Sequence, residues 1–244
     1  MTSQTKSMRQ DIVIIALKYE EPEYAETRKC IEATGLPVIW ANRDGVGNYS
    51  RAFNEAFING LSVYPNGNIP LKRAYDYEYA WMISNITFEP DVPFKLAKEM
   101  DEILGIAAIH PSMHGSDHRH QWPDADGLTK IVPFIEWTAP MVRTSAFTTT
   151  PLNQELAYYY MDLDWCYRVN EKHIGHVAVC HSARVGHAYL RTNKNHRISQ
   201  IRSALRDYWT PRSQSEMARL YGGDWKKGNW VETFLNLKRI KDGQ

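Results

Sequence analysis

After Asp11 the chain runs apolar without interruption to Leu17 (DIVIIAL), the pattern of a strand buried on both faces of a parallel sheet rather than one face to water. Lys18 to Pro22 ends the run. Over residues 23–34, Tyr24, Thr27, Cys30 and Ile31 recur at helical spacing, and Gly35 supplies the stop. Residues 36–40 (LPVIW) form a second short strand. This β-α-β opening predicts a parallel sheet with a right-handed crossover, whose ligands lie beyond the carboxyl ends of the strands. Ala52, Phe53, Ala56 and Phe57 then mark a helix beginning at Ser50. Residues 60–75 read as a loop, residues 77–83 as a strand, residues 93–104 as a helix opened by prolines, and residues 105–109 as a further strand. Residues 130–147 give a strand, a kink at Pro140 and another apolar segment. Met161, Trp165 and Val169 recur at helical spacing. Gly175 breaks that helix, and in HVAVCHSARVGH (176–187) an apolar strand run leads to a polar cluster ending at His187. Ile198, Ile201 and Leu205 mark a late helix, and a last one covers residues 230–240.

The polar residues between these runs carry the candidate chemistry. Asp162 and Asp164 sit where a loop enters a helix, near its positive end, which favours their ionised forms. Gly45 and Gly47 follow the second strand and let the backbone approach a ligand; Asn42, Asp44, Arg51 and Asn54 form the polar set around them. The third strand leads into Ser84-Asn85-Ile86-Thr87, with no carboxylate before Glu89. His110, His114, His118 and His120 fall in a segment that Pro111, Gly115 and Ser116 mark as a loop, either a mobile active-site loop or an incidental polar one. Their spacing would converge on a metal only in a helix, and no H-E-x-x-H occurs. Trp137 offers either a platform for a sugar ring or a core aromatic, with Glu136 beside it.

At 244 residues the chain has room for one catalytic unit over 8–190 and a helical appendage over 191–244. A net charge of +1 removes any global field for nucleic acid or anionic membrane, so such a partner must meet a local patch. The basic C-terminal residues Arg191, Lys194, Arg197, Arg202, Arg206 and Arg212 are that patch, or else the solvated face of a docked helix. Three scattered cysteines without a C-x-x-C pair favour packing thiols in a reducing compartment. With a polar N-terminus and no apolar run of bilayer length, the expected location is cytoplasmic, with peripheral contact at the inner membrane face through the basic segment.

Met161-Asp162-Leu163-Asp164-Trp165-Cys166-Tyr167-Arg168, then Gly175, then Val185-Gly186-His187, resembles the C-terminal signature of family 2 glycosyltransferases of the GT-A type, E-D-x-D-L-C-x-R followed by x-x-V-x-H. Rhamnosyl- and galactosyltransferase-like members are the nearest in pattern. The ANRDGVGNYSRAFNEAF stretch is similar to that family's N-x-G-x-x-x-A-x-N segment beside the donor nucleotide. The resemblance implies a Rossmann-like GT-A fold, a mixed and mostly parallel α/β sheet flanked by helices. It implies a nucleotide-diphosphate sugar donor, a glycan or other hydroxyl acceptor, and inverting single displacement with Asp162 as base. It places Tyr19, Glu20, Asn42, Asp44, Arg51, Asn54, Asn85, Thr87 and Arg191 at the donor, Glu136, Trp137 and Asp164 on the acceptor side, and His187 at a metal. The departure is the acidic triplet that holds Mn²⁺ or Mg²⁺ in the family, replaced here by Ser84-Asn85-Ile86-Thr87, whose amide and hydroxyl are poor ligands for a hard cation. Leaving-group stabilisation would then fall on His187, on Arg191 or Lys194, and on main-chain amides. Two other classes stay open: a nucleic-acid-modifying transferase or binder using the basic segment, and a non-catalytic domain that binds sugar nucleotides.

Overall fold

The computed structural model describes residues 9–18, 24–42, 47–64, 71–116, 118–157, 159–187, 196–226 and 230–241. Strand β1 (Ile12–Lys18) is buried at every position but Lys18, as its unbroken apolar run requires. It lies between β2 (Val38–Asn42) and β3 (Tyr79–Ile83), parallel to both. The sheet continues through β7 (Met141–Arg143), β5 (Ile106–Met113) and β8 (His176–His187) to β4 (Ile86–Phe88), while β6 (Thr129–Val132) pairs with β8. β7 runs antiparallel to both β3 and β5. Five strands, β1, β2, β3, β5 and β8, therefore run one way, and the α/β sheet is mixed but mostly parallel, as expected.

Alternation along β1 divides the core. Ile12, Ile14 and Ala16 face a layer containing Ile31 of α1 (Ala25–Thr34) and Leu96, Ala97 and Met100 of α3 (Val92–Glu102). Val13, Ile15 and Leu17 face the opposite layer. There lie Phe53 and Phe57 of α2 (Tyr49–Asn59), Phe147 of α4 (Thr144–Thr149) and Trp165 of α5 (Met161–Glu171). Met217 of the long helix α6 (His196–Tyr221), Trp225, and Phe234 of α7 (Trp230–Lys241) join that second layer. The C-terminal helices thus share a core with α2, α4 and α5.

Several local expectations change for physical reasons. Gly35 does close α1 in the left-handed region, at φ 68°. Helix α2 is capped not by Ser50 but by Asn48, whose side chain accepts from the Arg51 amide. Strand β5 runs on through His110 to Met113, so His110 is not in a loop. Pro111 is tolerated there because the β5–β8 register breaks just after it, from Pro111↔Cys180 to Ser112↔Arg184. Cys166 and Cys180 are buried and all three cysteines are free thiols. Among the described residues no helix is long and apolar enough to cross a membrane.

Candidate functional site

The parallel strands bring their carboxyl ends to one edge. Lys18 pairs with Asn42, and Ala16 with Ile83, so the ends of β2, β1 and β3 are nearly level. Asn42 is exposed there. Two helix N-termini meet at the same edge. The amide of Tyr49 at the start of α2 donates to the Ala157 carbonyl (2.8 Å), and Asn48 Nδ2 donates to the Gln154 carbonyl (2.9 Å). Ser50 donates to the Leu156 carbonyl (2.7 Å) and lies 3.2 Å from the Met161 sulfur. These ties fix the segment leading into α5 against the helix that follows the glycine loop. The residues just before Asp162 are thereby held against the start of α2.

Asp162 stands in the first turn of α5 and is half-buried. Its carboxylate accepts from the Leu163 amide at 2.9 Å. Burial nevertheless pushes its pKa up to about 6, more than that backbone bond lowers it. The expectation that the helix end dominates is corrected: desolvation wins, leaving a carboxylate still ionised at neutral pH but far more basic than a surface aspartate. The residue before the helix, Tyr160, takes the left-handed conformation (φ 66°), costly for an aromatic residue. Its hydroxyl donates to the Trp225 carbonyl (2.6 Å) and accepts from Gln214 (3.3 Å), so the C-terminal helices hold the strained turn in place.

A second group assembles around β4. Ile86 pairs with His187 and Thr87 with Gly186, so the segment replacing the acidic triplet lies against the strand end carrying His187. Asn85 is 4% exposed; its Oδ1 is 3.0 Å from the Thr27 hydroxyl, and its Nδ2 has no partner among the described residues. Thr87 Oγ1 lies 3.5 Å from the Gly186 carbonyl. An amide, a hydroxyl and one imidazole do not fit a hard divalent cation, and among the described residues no three His, Cys, Asp or Glu side chains converge as a metal would require. The segment Phe134–Thr138 joins both groups. Ser84 donates to the Thr138 carbonyl through its backbone (2.9 Å) and its hydroxyl (3.1 Å), His110 Nε2 lies 2.8 Å from the Thr138 hydroxyl, and Cys166 of α5 approaches the Ile135 carbonyl. His110 is fully buried, which lowers its pKa to about 3 and keeps it neutral.

Glu136 accepts from the Ser116 hydroxyl (2.7 Å) and lies 3.6 Å from His118 Nε2. Three placements inferred from the sequence are corrected. Trp137 is 4% exposed and packs on Phe147 and Trp165, so it is a core residue and not a platform. Asp164 is 1% exposed and fully engaged: Arg168 binds one oxygen (2.6 Å) and the Tyr221 hydroxyl the other (2.6 Å). Asn54 is 3% exposed and exchanges both bonds of its amide with the Leu152 backbone, since that irregular segment needs partners for its peptide groups. Arg51 is exposed and pairs with Glu55. Tyr19, Glu20, Asp44, Arg191 and Lys194 lie outside the described residues.

The sequence reading missed Tyr160, Tyr221, Trp225 and Trp230, the aromatic residues through which the C-terminal segment reaches the site. Trp230 touches His118 (ring centroids 5.2 Å apart), Phe134 (5.8 Å) and Tyr160 (6.2 Å). Their only signal was aromatic enrichment in a segment whose charge drew the attention.

No protein-family model and no curated protein matches the chain. Among solved structures it is similar to residues 1–349 of S. aureus TarS (TM-score 0.46, 10% identity, covering 93% of this chain and 80% of that one). It is also similar to GalNAc-T7, crystallised with UDP, GalNAc and Mn²⁺ (TM-score 0.48, 9% identity, 94% and 54%). The chain thus spans about half the length of the second. Nothing about this chain's activity follows from likeness at that level.

Proposed function

We propose that the chain is a GT-A-type glycosyltransferase that moves a sugar from a nucleoside-diphosphate donor to an acceptor hydroxyl, with Asp162 as the base. The observation that carries this reading is the basic, half-buried carboxylate at the start of α5, tied through Ser50 and Tyr49 to the helix that follows the glycine loop. A base for a hydroxyl should titrate near the working pH, and burial supplies that. The acceptor O–H bond breaks with its proton passing to Asp162, the acceptor oxygen bonds to the anomeric carbon, and the bond to the diphosphate oxygen breaks on the opposite face. The configuration inverts and the diphosphate leaves as an anion.

The donor would lie across the ends of β1, β2 and β3, with Asn42, Asn85 and Thr87 near it and His187 beside the diphosphate. Arg191 and Lys194 follow His187 closely in sequence and carry the kind of charge a departing diphosphate calls for. The donor set around Asn85 supports recognition of the diphosphate by hydrogen bonds and cationic side chains, so no step is assigned to a metal. The test is melting temperature with UDP, GDP and dTDP sugars, followed by nucleotide release in EDTA and in Mn²⁺. At least one donor should raise the melting temperature and be turned over in chelator. No shift from any of them would overturn the reading.

A further inference from the structure

The C-terminal segment grips the chain on both sides of Asp162. Two positions before it, the Tyr160 hydroxyl donates to the Trp225 carbonyl at 2.6 Å and accepts from Gln214 of α6 at 3.3 Å. Two positions after it, Asp164 accepts from the Tyr221 hydroxyl at the end of the same helix, at 2.6 Å. The Asp162 carboxylate lies between these grips and bonds the Leu163 amide instead. The second grip completes a buried ion pair with Arg168. The first holds a conformation that its residue would otherwise leave.

Tyr160 stands at φ 66°, where its Cβ crowds the backbone and where glycine would sit at no such cost. An aromatic residue keeps that conformation only where its surroundings over-determine it. Here they do. Tyr160 is 8% exposed, its ring lies edge-on to Trp225 (6.1 Å) and to Trp230 (6.2 Å), and its hydroxyl is bonded twice. Its backbone in turn starts the helix: the Tyr160 carbonyl accepts from the Asp164 amide at 2.9 Å, which closes the first turn of α5 around Asp162. A return of φ to negative values would swing that carbonyl off the Asp164 amide and open the turn. The direction of Asp162 thus depends on a bond made 65 residues further along the chain. Burial raises the Tyr160 pKa first, and against the Gln214 bond the charges of Asp162 and Asp224 raise it as well, so the hydroxyl lies within the field of the same carboxylate.

We propose that Tyr160 is a positioning residue for Asp162, through which α6 and Trp225 hold the base in the line that its proton transfer needs. The proposal rests on the reading of Asp162 as base, and the hold itself is also measurable without substrate. Tyr160→Phe keeps the ring and removes both hydroxyl bonds. It should lower kcat at least about tenfold while the donor KM stays within about twofold. Gly175→Ala, whose Cβ would meet the Gly105 carbonyl at 2.5 Å where β8 begins, controls for lost stability alone and should keep kcat within about twofold. Carbon-13 NMR of the Asp162 carboxyl, assigned by its absence from Asp162→Asn, reads the turn directly. Burial sets that carboxyl at about 6, and water entering an opened turn should bring its titration midpoint down by about 0.5 or more in Tyr160→Phe. A Tyr160→Phe chain with kcat within about twofold of native, or an equal loss of kcat in Gly175→Ala, overturns the positioning role and leaves the base in place. Turnover by Asp162→Asn, or none by the native chain, removes the base instead, and the carboxyl midpoint then decides by itself whether Tyr160 holds the turn.

Discussion

Asp164 was expected to act on substrate, and the structure gives it to the fold instead, which fixes what its removal should do. Its carboxylate is 1% exposed, doubly bonded by Arg168 through Nε (2.8 Å) and Nη2 (2.6 Å), and bonded by the Tyr221 hydroxyl at 2.6 Å across 57 residues. Asp164→Ala strands a largely buried guanidinium and an inward hydroxyl together, a loss of about 3–5 kcal/mol by analogy with broken buried pairs. Tyr221→Phe removes one hydrogen bond to a charged acceptor, about 1.5–3 kcal/mol. Because the two changes delete one shared contact, the double variant Asp164→Asn/Tyr221→Phe should cost less than the sum of its singles by about 1 kcal/mol or more. The Tyr221 pKa is pushed far above its ordinary value, first by burial and then by the charge of Asp164. A raised folded value means this contribution is intact below pH about 10 and fades as pH rises beyond it, so Tyr221→Phe should also soften the alkaline loss of stability. Urea unfolding followed by circular dichroism measures each term. A cost below about 0.5 kcal/mol for Tyr221→Phe, or an Asp164→Asn variant with full stability and no transfer, would refute the structural role.

Three further outcomes follow from the packing and burial of other residues. Gly175→Ala would place its Cβ 2.5 Å from the Gly105 carbonyl and 3.0 Å from the Ala107 Cβ, so the start of the β5–β8 pairing must shift; about 1–3 kcal/mol should be lost in urea titration. The His110 pKa, lowered to about 3 by burial and further by the proximity of His120 and His187, means that stability is present above pH about 6.5 and lost as pH falls toward 3; His110→Gln should flatten the melting temperature between pH 7 and pH 5. Donor turnover in EDTA should equal that in Mn²⁺ within about twofold, and strict dependence on the added ion would contradict the reading of the Asn85 segment.

The strands were legible because burial on two faces leaves a pattern in the sequence itself. β1 was expected at 11–17 and runs Ile12–Lys18; the strand expected after Gly175 is β8, which runs on through the polar cluster to His187; the helix around Asp162 begins where the spacing of Met161, Trp165 and Val169 starts. His110 was misplaced because proline normally ends a strand, and the register break that admits Pro111 has no local signature. Trp137 was left between platform and core, and Asp164 was placed on the acceptor side, for one reason. Whether a large aromatic or a carboxylate faces a crevice or a partner depends on contacts made by residues far along the chain, here Phe147 with Trp165, and Tyr221. The spacing of Asp162 and Asp164 showed that two acids enter one helix. Two residues apart in one turn, they must look in different directions, but the spacing did not show that Asp164 would be the one turned to Arg168 and Tyr221.

The central claim is that Asp162 takes the acceptor proton, and the pH profile of transfer beside its Asp162→Asn variant tests it most directly. The native chain should lose kcat/KM below an inflection near pH 6, where burial has moved the carboxylate. The variant should lose about 100- to 10,000-fold at pH 7.5 with its fold and donor binding intact. Turnover within tenfold of the native chain, or an acid limb that the variant leaves in place, would contradict the account.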